Sequence, residues 1–433
     1  METSEILNIL EEWNFWKRKQ ETGILREQYI AKLEEIEKTG QIIAITGVRR
    51  SGKSTVMKQY LRRLIDKGIK PENTLYVNFE DLRFKDISLD LLNRIYEIYL
   101  EHMNPSSKPY IFLDEAHKVE GWERFARTMH ELGKATVIVS GSNAKLLSSS
   151  IATVLTGRHL DIEVFPLSFE EFLLFKGICL KDKMDIVSKR HVISSMLKEY
   201  LKYGGFPLVC LKEMKEELLQ SYFEDIIVKD VAERHAITNI SKLKALAKFY
   251  LSNAGKRISF NSLTEPMKLS LDTIEKHSYY LSEAYLISFI KKFSYSVKEQ
   301  ERTRAVVYAA DNGLKTVVGF AHSRDIGWFY QNAAANALMK KHGAGSIFYW
   351  MSPTKEEVDF VVKPKQKVEQ LVQVCYSADD AEVKKRELKA LLKASAELKC
   401  NNLLMITELK EGEEKEGGKK IKYIPLWKWL LEK

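Results

Sequence analysis

Residues 42–61, IIAITGVRRSGKSTVMKQYL, constrain this chain more than any other stretch. An apolar run ends in a glycine, and the template G-x-x-x-x-G-K-[ST] is met at every fixed position by Gly47, Gly52, Lys53 and Ser54. The flanks fit as well: QIIAIT reads as a buried strand and STVMKQYLRRLI as an amphipathic helix. Glycines let backbone N–H groups turn inward around phosphate oxygens, and a helix N-terminus adds partial positive charge. The spacing predicts a phosphate cradle built from Gly47, Val48, Arg49, Arg50, Ser51, Gly52, Lys53, Ser54 and Thr55. Lys53 is expected to bridge the β- and γ-phosphates of ATP and Ser54 to hold Mg²⁺. Arg49 and Arg50, inside the loop, are basic enough to contact phosphate or a neighbouring domain and rank below Lys53.

Such a cradle needs an acidic strand. KPYIFLDEAHKVEGWE supplies one: residues 110–113 are apolar and are followed by Asp114 and Glu115. In a Walker B element the Asp helps hold Mg²⁺ and the next Glu polarises the attacking water, so the pair argues for hydrolysis rather than binding alone. A third strand, in ATVIVSGSNAKLL, ends in Ser140, Gly141, Ser142 and Asn143. Ser142 and Asn143 are both candidates to sense the γ-phosphate, and the sequence does not separate them. NTLYVNFEDLR reads as a further strand ending in Asn78, Glu80 and Asp81. Strands alternating with helices predict a parallel sheet with crossover connections, whose active groups gather at the carboxyl ends of the strands. In TVLTGRHLDIEVFPLSFEEFLLF, Arg158 follows a glycine and precedes a strand. It is a catalytic candidate that could reach the γ-phosphate of its own site or of a neighbour's; the plainer reading is a surface or capping arginine.

The motifs ITGVRRSGKST, YIFLDEAH, IVSGSNAKLL, LTGR and FPLSFEEF together resemble the AAA-type P-loop ATPases of archaea and bacteria that carry a C-terminal domain of unknown function. The likeness continues through YLKYGGFP, YFEDIIVKDVAERH, EVDFVV and LVQVCYS, in the right order and over most of the chain. It implies ATP binding, ATP hydrolysis, and a C-terminal half with a winged helix and a restriction-endonuclease-like fold. The expected fold class is thus α/β: a P-loop NTPase parallel sheet with flanking helices, then a winged-helix region and a PD-(D/E)xK-like α/β domain. The expected divisions are a helical segment over 1–40, the ATPase core over 41–165, a helical lid or connector over 166–239, a winged-helix-like domain over 240–311 and an endonuclease-like domain over 312–433.

The middle of the chain supports this order by itself. NISKLKALAKFYLSNAG reads as a helix ended by Gly255, SFNSLTEPMK as a short helix, and Ser270 as the cap of a helix over LDTIEKHSYYLSEAYLI. SFIKKFSY and RAVVYAAD alternate like two strands around a charged loop, which is a winged-helix order. The would-be recognition helix offers Lys276 and His277 against Asp272, Glu275 and Glu283, so its face is not strongly positive. A packing module is the plainer reading than a DNA reader.

Near the end, a helix in GWFYQNAAANALMKK, a strand in GSIFYW, a hairpin in EVDFVVKPKQKVEQLVQVCYS and a helix in DDAEVKKRELKALLKA resemble the nuclease core. Asp359 takes the Asp position, with Glu357 nearby. The second position reads Gln373, Val374, Cys375, and Gln331-Asn332 stands where the family's helix often carries Glu-Asn. One carboxylate is an amide and the lysine is a cysteine. Glu369 shares the strand face of Gln373 by two-residue alternation and could substitute as a ligand, but no lysine stands beside it. An amide does not neutralise Mg²⁺ as a carboxylate does, so a fold kept for binding or assembly is expected over an active nuclease.

The remaining features bound the answer. A chain of 433 residues exceeds what one core usually serves. Its 45% apolar and 29% charged content are ordinary for a globular protein. No apolar run approaches a membrane span, and the acidic, amphipathic N-terminus lacks the pattern of a signal peptide. Cys179, Cys210, Cys375 and Cys400 are far apart, which suggests a reducing cytoplasm and no structural zinc. The net charge of +9 is compatible with a nucleic-acid partner, but mixed runs such as EEKEGGKKIK read more simply as solvated loops. Trp13 and Trp16 are expected on the first helix, packed on the ATPase, and Arg26 is close enough in sequence to reach toward the nucleotide. The expected function is Mg²⁺-dependent ATP hydrolysis coupled to movement of the C-terminal domains, with nucleic acid, a protein or further copies of the chain as possible partners. The alternatives are a slow nucleotide-gated switch with a dead nuclease-like domain and, third, an ATP-controlled nuclease.

Overall fold

The apolar run before Gly47 forms β1 (Ile42–Thr46), buried at all five positions, as a parallel strand covered on both faces must be. The computed structural model describes residues 1–142, 155, 157–318, 326–377 and 380–432. Among these residues β1 lies in a five-stranded sheet of order β2-β3-β4-β1-β5, with β2 (Thr74–Asn78), β3 (Tyr110–Asp114), β4 (Thr136–Ser140) and β5 (His159–Glu163). Every pairing is parallel. Strand alternation splits the core in two. Ile43, Ile45, Tyr76, Phe112 and Ile138 face α2 (Glu27–Glu37) and α3 (Lys53–Asp66). Ile42, Ala44, Val77, Leu113 and Val139 face α1 (Thr3–Trp13), α4 (Leu89–Met103) and α5 (Trp122–Glu131). The result is a three-layer α/β/α sandwich over Met1–Val164, one of two compact units.

β2 is an outer strand, and the N-terminal segment closes its free edge. Asn14 Oδ1 accepts the Tyr76 N–H at 2.7 Å and its Nδ2 donates to the Tyr76 carbonyl at 2.9 Å. Trp16 Nε1 donates to the Thr74 carbonyl at 2.8 Å. Helix α1 stops at Trp13, so Trp16 lies beyond the helix on which the sequence placed it. Both tryptophans do pack on the apolar core of this unit.

The second unit, Phe165–Lys433, opens with helices that include Phe169–Phe175, Arg190–Tyr203 and Lys215–Asp225; the last runs into a π-helix, Ile226–Glu233. A helix Ile240–Ser252 follows, three residues short of Gly255, whose N–H instead donates to the Val307 carbonyl at 2.7 Å. Ser270 caps the helix Leu271–Glu283 through the Thr273 N–H. Strands β6 (Arg257–Ile258), β7 (Ile287–Ile290) and β8 (Ala305–Ala309) make an antiparallel sheet of order β6-β8-β7. The helix Ile326–His342 leads into a mixed six-stranded sheet of order β13-β14-β12-β11-β10-β9. Its strands are β9 (Ile347–Met351), β10 (Glu357–Val362), β11 (Gln370–Val374), β12 (Leu403–Thr407), β13 (Gly412–Glu416) and β14 (Lys419–Pro425). The helix Ala381–Leu398 connects β11 to its parallel neighbour β12. One apolar core joins Leu167 and Phe169 to Tyr308 of β8 and to Phe360 and Val372 of the six-stranded sheet.

The YGGFP stretch closes this unit on itself. Gly205 donates to Asp311 Oδ2 at 2.7 Å and Gly313 to Oδ1 at 2.8 Å, while the Leu167 N–H reaches the Gly205 carbonyl at 2.6 Å. A Cβ on Gly204 would stand 1.6 Å from Asp311 Oδ1. Among the described residues no helix is long and apolar enough to cross a membrane.

Candidate functional site

The loop between β1 and α3 curls through three left-handed residues, Gly47 (φ +131°), Arg50 (φ +68°) and Gly52 (φ +100°). Gly47 is required twice over, because a Cβ there would also stand 2.3 Å from the Val164 carbonyl oxygen. Lys53, the first residue of α3, is buried and folds back over the loop, donating to the carbonyls of Gly47 (3.1 Å) and Val48 (3.2 Å). Val48 and Ser51 are buried, Ser54 is half-buried, and Arg50 and Thr55 are exposed. Arg49 turns to Glu80 after β2, at 3.2 Å. Arg26 is buried and donates to the Ser51 carbonyl at 2.8 Å, so it supports the loop from behind.

The sheet order puts β4 between β3 and β1, which brings the tip of the acidic strand beside the serines of β4. Ser140 Oγ donates to Asp114 Oδ1 and accepts the Glu115 N–H at 3.0 Å. Tyr76 of β2 donates its hydroxyl to Asp114 Oδ2 at 2.6 Å. Glu115 itself sits in the left-handed region, φ +54° and ψ +45°, unusual for a residue with a Cβ. Its Oε2 accepts the Ser142 N–H at 3.3 Å and lies 3.1 Å from His117 Nδ1. Burial, helped by the Glu115 charge, raises Asp114 above the usual carboxylate range, and the hydrogen bonds from Ser140, Tyr76 and Ser54 hold it back. Burial pushes Glu115 the same way, but the His117 hydrogen bond and the charges of Lys53, His117 and Arg49 outweigh it and keep Glu115 at about 2. Two adjacent carboxylates thus have opposite tendencies. Glu115 stays an anion with cations in reach, whereas Asp114 is held mainly by neutral hydroxyls, with the Lys58 charge as a further neighbour. The hydroxyl of Ser54 and the carboxylate of Asp114 are hard oxygen donors, the set that Mg²⁺ takes alongside phosphate.

Not every expected residue joins this cluster. β5 runs parallel to β1 with His159 opposite Ile42 and Glu163 opposite Thr46. Arg158, whose carbonyl accepts the Ile42 N–H at 2.9 Å, therefore lies at the far end of β1 from the cradle, a separation of about 13 Å along the strand. Its guanidinium is 3.0 Å from Glu131 at the end of α5. The expectation that it could serve its own chain's γ-phosphate is corrected by the parallel register. Asn143 lies outside the described residues, so of the two candidate sensors only Ser142 has a place here. Tyr76, Ser140 and His117 were missed as site residues. A DEAH string with a polar β4 tip was the available signal for the last two, and nothing local marks Tyr76.

In the second unit a different polar cluster forms. Asp359 of β10 accepts from Gln331 Nε2 (2.6 Å) and from the Val374 N–H (2.7 Å). Its own N–H donates to Gln373 Oε1 at 3.2 Å, and Gln373 Nε2 reaches Glu387 on the helix Ala381–Leu398 at 2.6 Å. Burial raises Asp359 well above the usual range, and the nearby Glu387 and Glu357 add to it. Glu357 is 3.5 Å from Arg257. Glu369 is exposed and precedes β11, so it does not substitute at this cluster as alternation suggested. Asn332 is bound instead to the backbone of Ala309 and to Asn312. Cys375 is buried just past β11, where burial first, and Glu387 and Asp359 after it, push the thiol up to about 11. On the helix Leu271–Glu283, His277 and Glu283 are buried, and Lys276 pairs with Asp272 at 2.9 Å. That helix offers even less positive surface than its sequence implied.

Residues 39–173 match the family described as "AAA domain", and residues 194–323 match a "Domain of unknown function (DUF8612)". An uncharacterized protein of Methanocaldococcus jannaschii is 34% identical over 406 residues, 90% of this chain and 88% of that protein. An uncharacterized protein of Haemophilus influenzae is 34% identical over 301 residues, 67% of this chain and 72% of that one. Among solved structures, a Walker-type ATPase of Pyrococcus abyssi matches with a TM-score of 0.42 and 14% identity, covering 68% of this chain and 95% of the other. The parallel sheet with its loop-first helix is a P-loop NTPase fold, which supports nucleotide binding. Residues 39–173 match the AAA-domain family, and the chain as a whole belongs to the family of the Methanocaldococcus jannaschii protein.

Proposed function

We propose that the first unit hydrolyses ATP with Mg²⁺. The observation that carries this reading is the pair at the tip of β3: Asp114 and Glu115 are both buried, Asp114 held by the Tyr76 and Ser140 hydroxyls and Glu115 within reach of the Lys53 charge. The backbone from Gly47 to Thr55 wraps the phosphates, and Lys53, released from the Gly47 and Val48 carbonyls, meets the β- and γ-oxygens. Ser54 and Asp114 would hold the metal, which when bound would supply neutralisation of charge on the phosphoryl oxygens. Glu115 takes the proton of the attacking water, and Ser142 at the tip of β4 senses the γ-phosphate. The test is binding of a fluorescent ATP analogue together with steady-state hydrolysis. Lys53→Ala is expected to abolish binding. Glu115→Gln is expected to bind as wild type does and to lose about a hundredfold or more in turnover, the scale of a lost general base. Hydrolysis by Glu115→Gln at the wild-type rate would sink the role given to Glu115.

One observation favours slow turnover in a single chain. Glu115 is pinned by His117 and the Ser142 N–H, and Arg158 is engaged with Glu131 at the far edge of the sheet. Either the protein is a nucleotide-gated switch, or an arginine from a second copy completes the site. Rate per chain measured against protein concentration separates the two: a rise indicates assembly, and a flat, slow rate indicates the switch. Adding single-stranded DNA, duplex DNA or RNA to the same assay asks whether the movement coupled to hydrolysis acts on nucleic acid. The second unit is read as a binding or assembly region, because Gln373 and Gln331 supply amides to Asp359. Metal-dependent cleavage that disappears in Asp359→Ala would overturn that.

A further inference from the structure

Both oxygens of Asp114 are already hydrogen-bonded within the protein, one by Ser140 and the other by Tyr76. The tyrosine is the unexpected partner. It is wholly buried in β2, on the α2/α3 side of the sheet, and its hydroxyl interacts with the Ser54 hydroxyl as well as with Asp114. A phenol has one hydrogen to give, and here it goes to Asp114, with the single hydrogen of Ser54 close to both acceptors. One side chain thus holds the carboxylate that would face the cation and lies near the hydroxyl that would share it. Filling space does not require this, since a phenylalanine has the same ring, and a buried hydroxyl is costly unless it is bonded.

The ring is held from outside the sheet. Asn14, itself wholly buried, pins both the N–H and the carbonyl of Tyr76, in place of the strand that β2 lacks on that edge. Trp13 stacks on the ring at 6.3 Å between centroids. Lys58 Nζ, from α3, sits 4.5 Å from the Trp13 ring centre and 5.4 Å from that of Tyr76. Backbone, ring face and hydroxyl are each fixed by a different neighbour.

We infer that Tyr76 is a positioning residue for the divalent cation: its hydroxyl sets the direction of the Asp114 carboxylate and the Ser54 hydroxyl, and Asn14 sets Tyr76. This rests on the roles proposed above for Ser54 and Asp114. The experiment titrates Mg²⁺ into wild type and Tyr76→Phe in the presence of a fluorescent, non-hydrolysable ATP analogue, and measures binding of the same analogue in EDTA. Loss of the hydroxyl is expected to raise the Mg²⁺ concentration for half-maximal binding about tenfold, the scale of one hydrogen bond to a charged group. Affinity in EDTA is expected to stay unchanged, which a general loss of structure would not allow. A folded Tyr76→Phe protein with the wild-type Mg²⁺ requirement overturns the inference. Wild-type binding that ignores Mg²⁺ overturns the assignment of Ser54 and Asp114 beneath it, and the inference with it. If Tyr76→Phe does not fold, Asn14→Ala is expected to shift the Mg²⁺ requirement the same way, and an unshifted requirement there also overturns the inference.

Discussion

At the scale of single residues, Gly47 and Glu115 are the two positions where backbone conformation and chemistry meet. Gly47 combines a φ of +131° with a Cβ position that the Val164 carbonyl already occupies. Gly47→Ala is therefore expected to cost about 1–3 kcal/mol of stability from backbone strain alone, and more once the strand end shifts. It should also lose nucleotide binding, which thermal unfolding with and without the ATP analogue would reveal together. Glu115 allows a prediction in pH. Its carboxyl is lowered in the folded protein from an ordinary 4.5 to about 2. The folded state therefore binds fewer protons there than the unfolded chain. The stability this confers is complete above the ordinary carboxylate pKa and is lost as pH falls toward the folded value. Wild type is expected to lose stability more steeply than Glu115→Gln between pH 5 and 2.5, measured by denaturant titration. Above pH 5 Glu115 stays ionised, so an acid limb in the rate profile there must come from another group.

At the scale of elements, the Asp311 junction works in the opposite direction. Asp311 is buried, accepts the Gly205 and Gly313 N–H groups, and has the Tyr200 phenol as its charge-sensitive neighbour. Burial raises it to about 7. Its folded pKa lies above the unfolded one, so its contribution is full below about 4 and is lost as pH rises through 7. Asp311→Asn is expected to flatten a decline of order 2–4 kcal/mol in wild-type stability between pH 5 and 8; an equal slope in both proteins would refute it. The elements also show what was legible beforehand. A strand, a glycine loop and a helix that follow one another without interruption can be read from periodicity and spacing, and so can an apolar strand ending in Asp-Glu. The partners of those groups come from strand order. Tyr76 and Ser140 meet on Asp114 only because β2 and β4 flank β3, and no local pattern encodes that. Whether Arg158 could serve its own site or a neighbour's was left open for the same reason: proximity to β5 in sequence does not say at which end of a parallel sheet a residue lies. Glu369 failed on a boundary, since β11 begins one residue after it.

At the scale of the whole molecule, each of the two units has its own apolar cores, and every group assigned to phosphate, metal and water lies in Met1–Val164. Residues 1–164 by themselves are expected to unfold cooperatively and to bind the ATP analogue with the same Lys53 dependence. Calorimetry of that piece checks both points, and a broad, ligand-indifferent transition would count against it. The Asn14 clamp then acquires a practical meaning. Sequence comparison starts the AAA domain at residue 39, yet the outer strand β2 is sealed by residues 14 and 16. A chain trimmed to the comparison boundary would present the bare backbone of β2 to solvent. Exposed strand edges pair with one another, so such a protein would be prone to precipitate during purification even though every motif is intact. A polymer fused close to the first residues would threaten the same seal. The domain's physical beginning thus precedes its recognisable one by about two dozen residues, and expression boundaries and tag placement should follow the former.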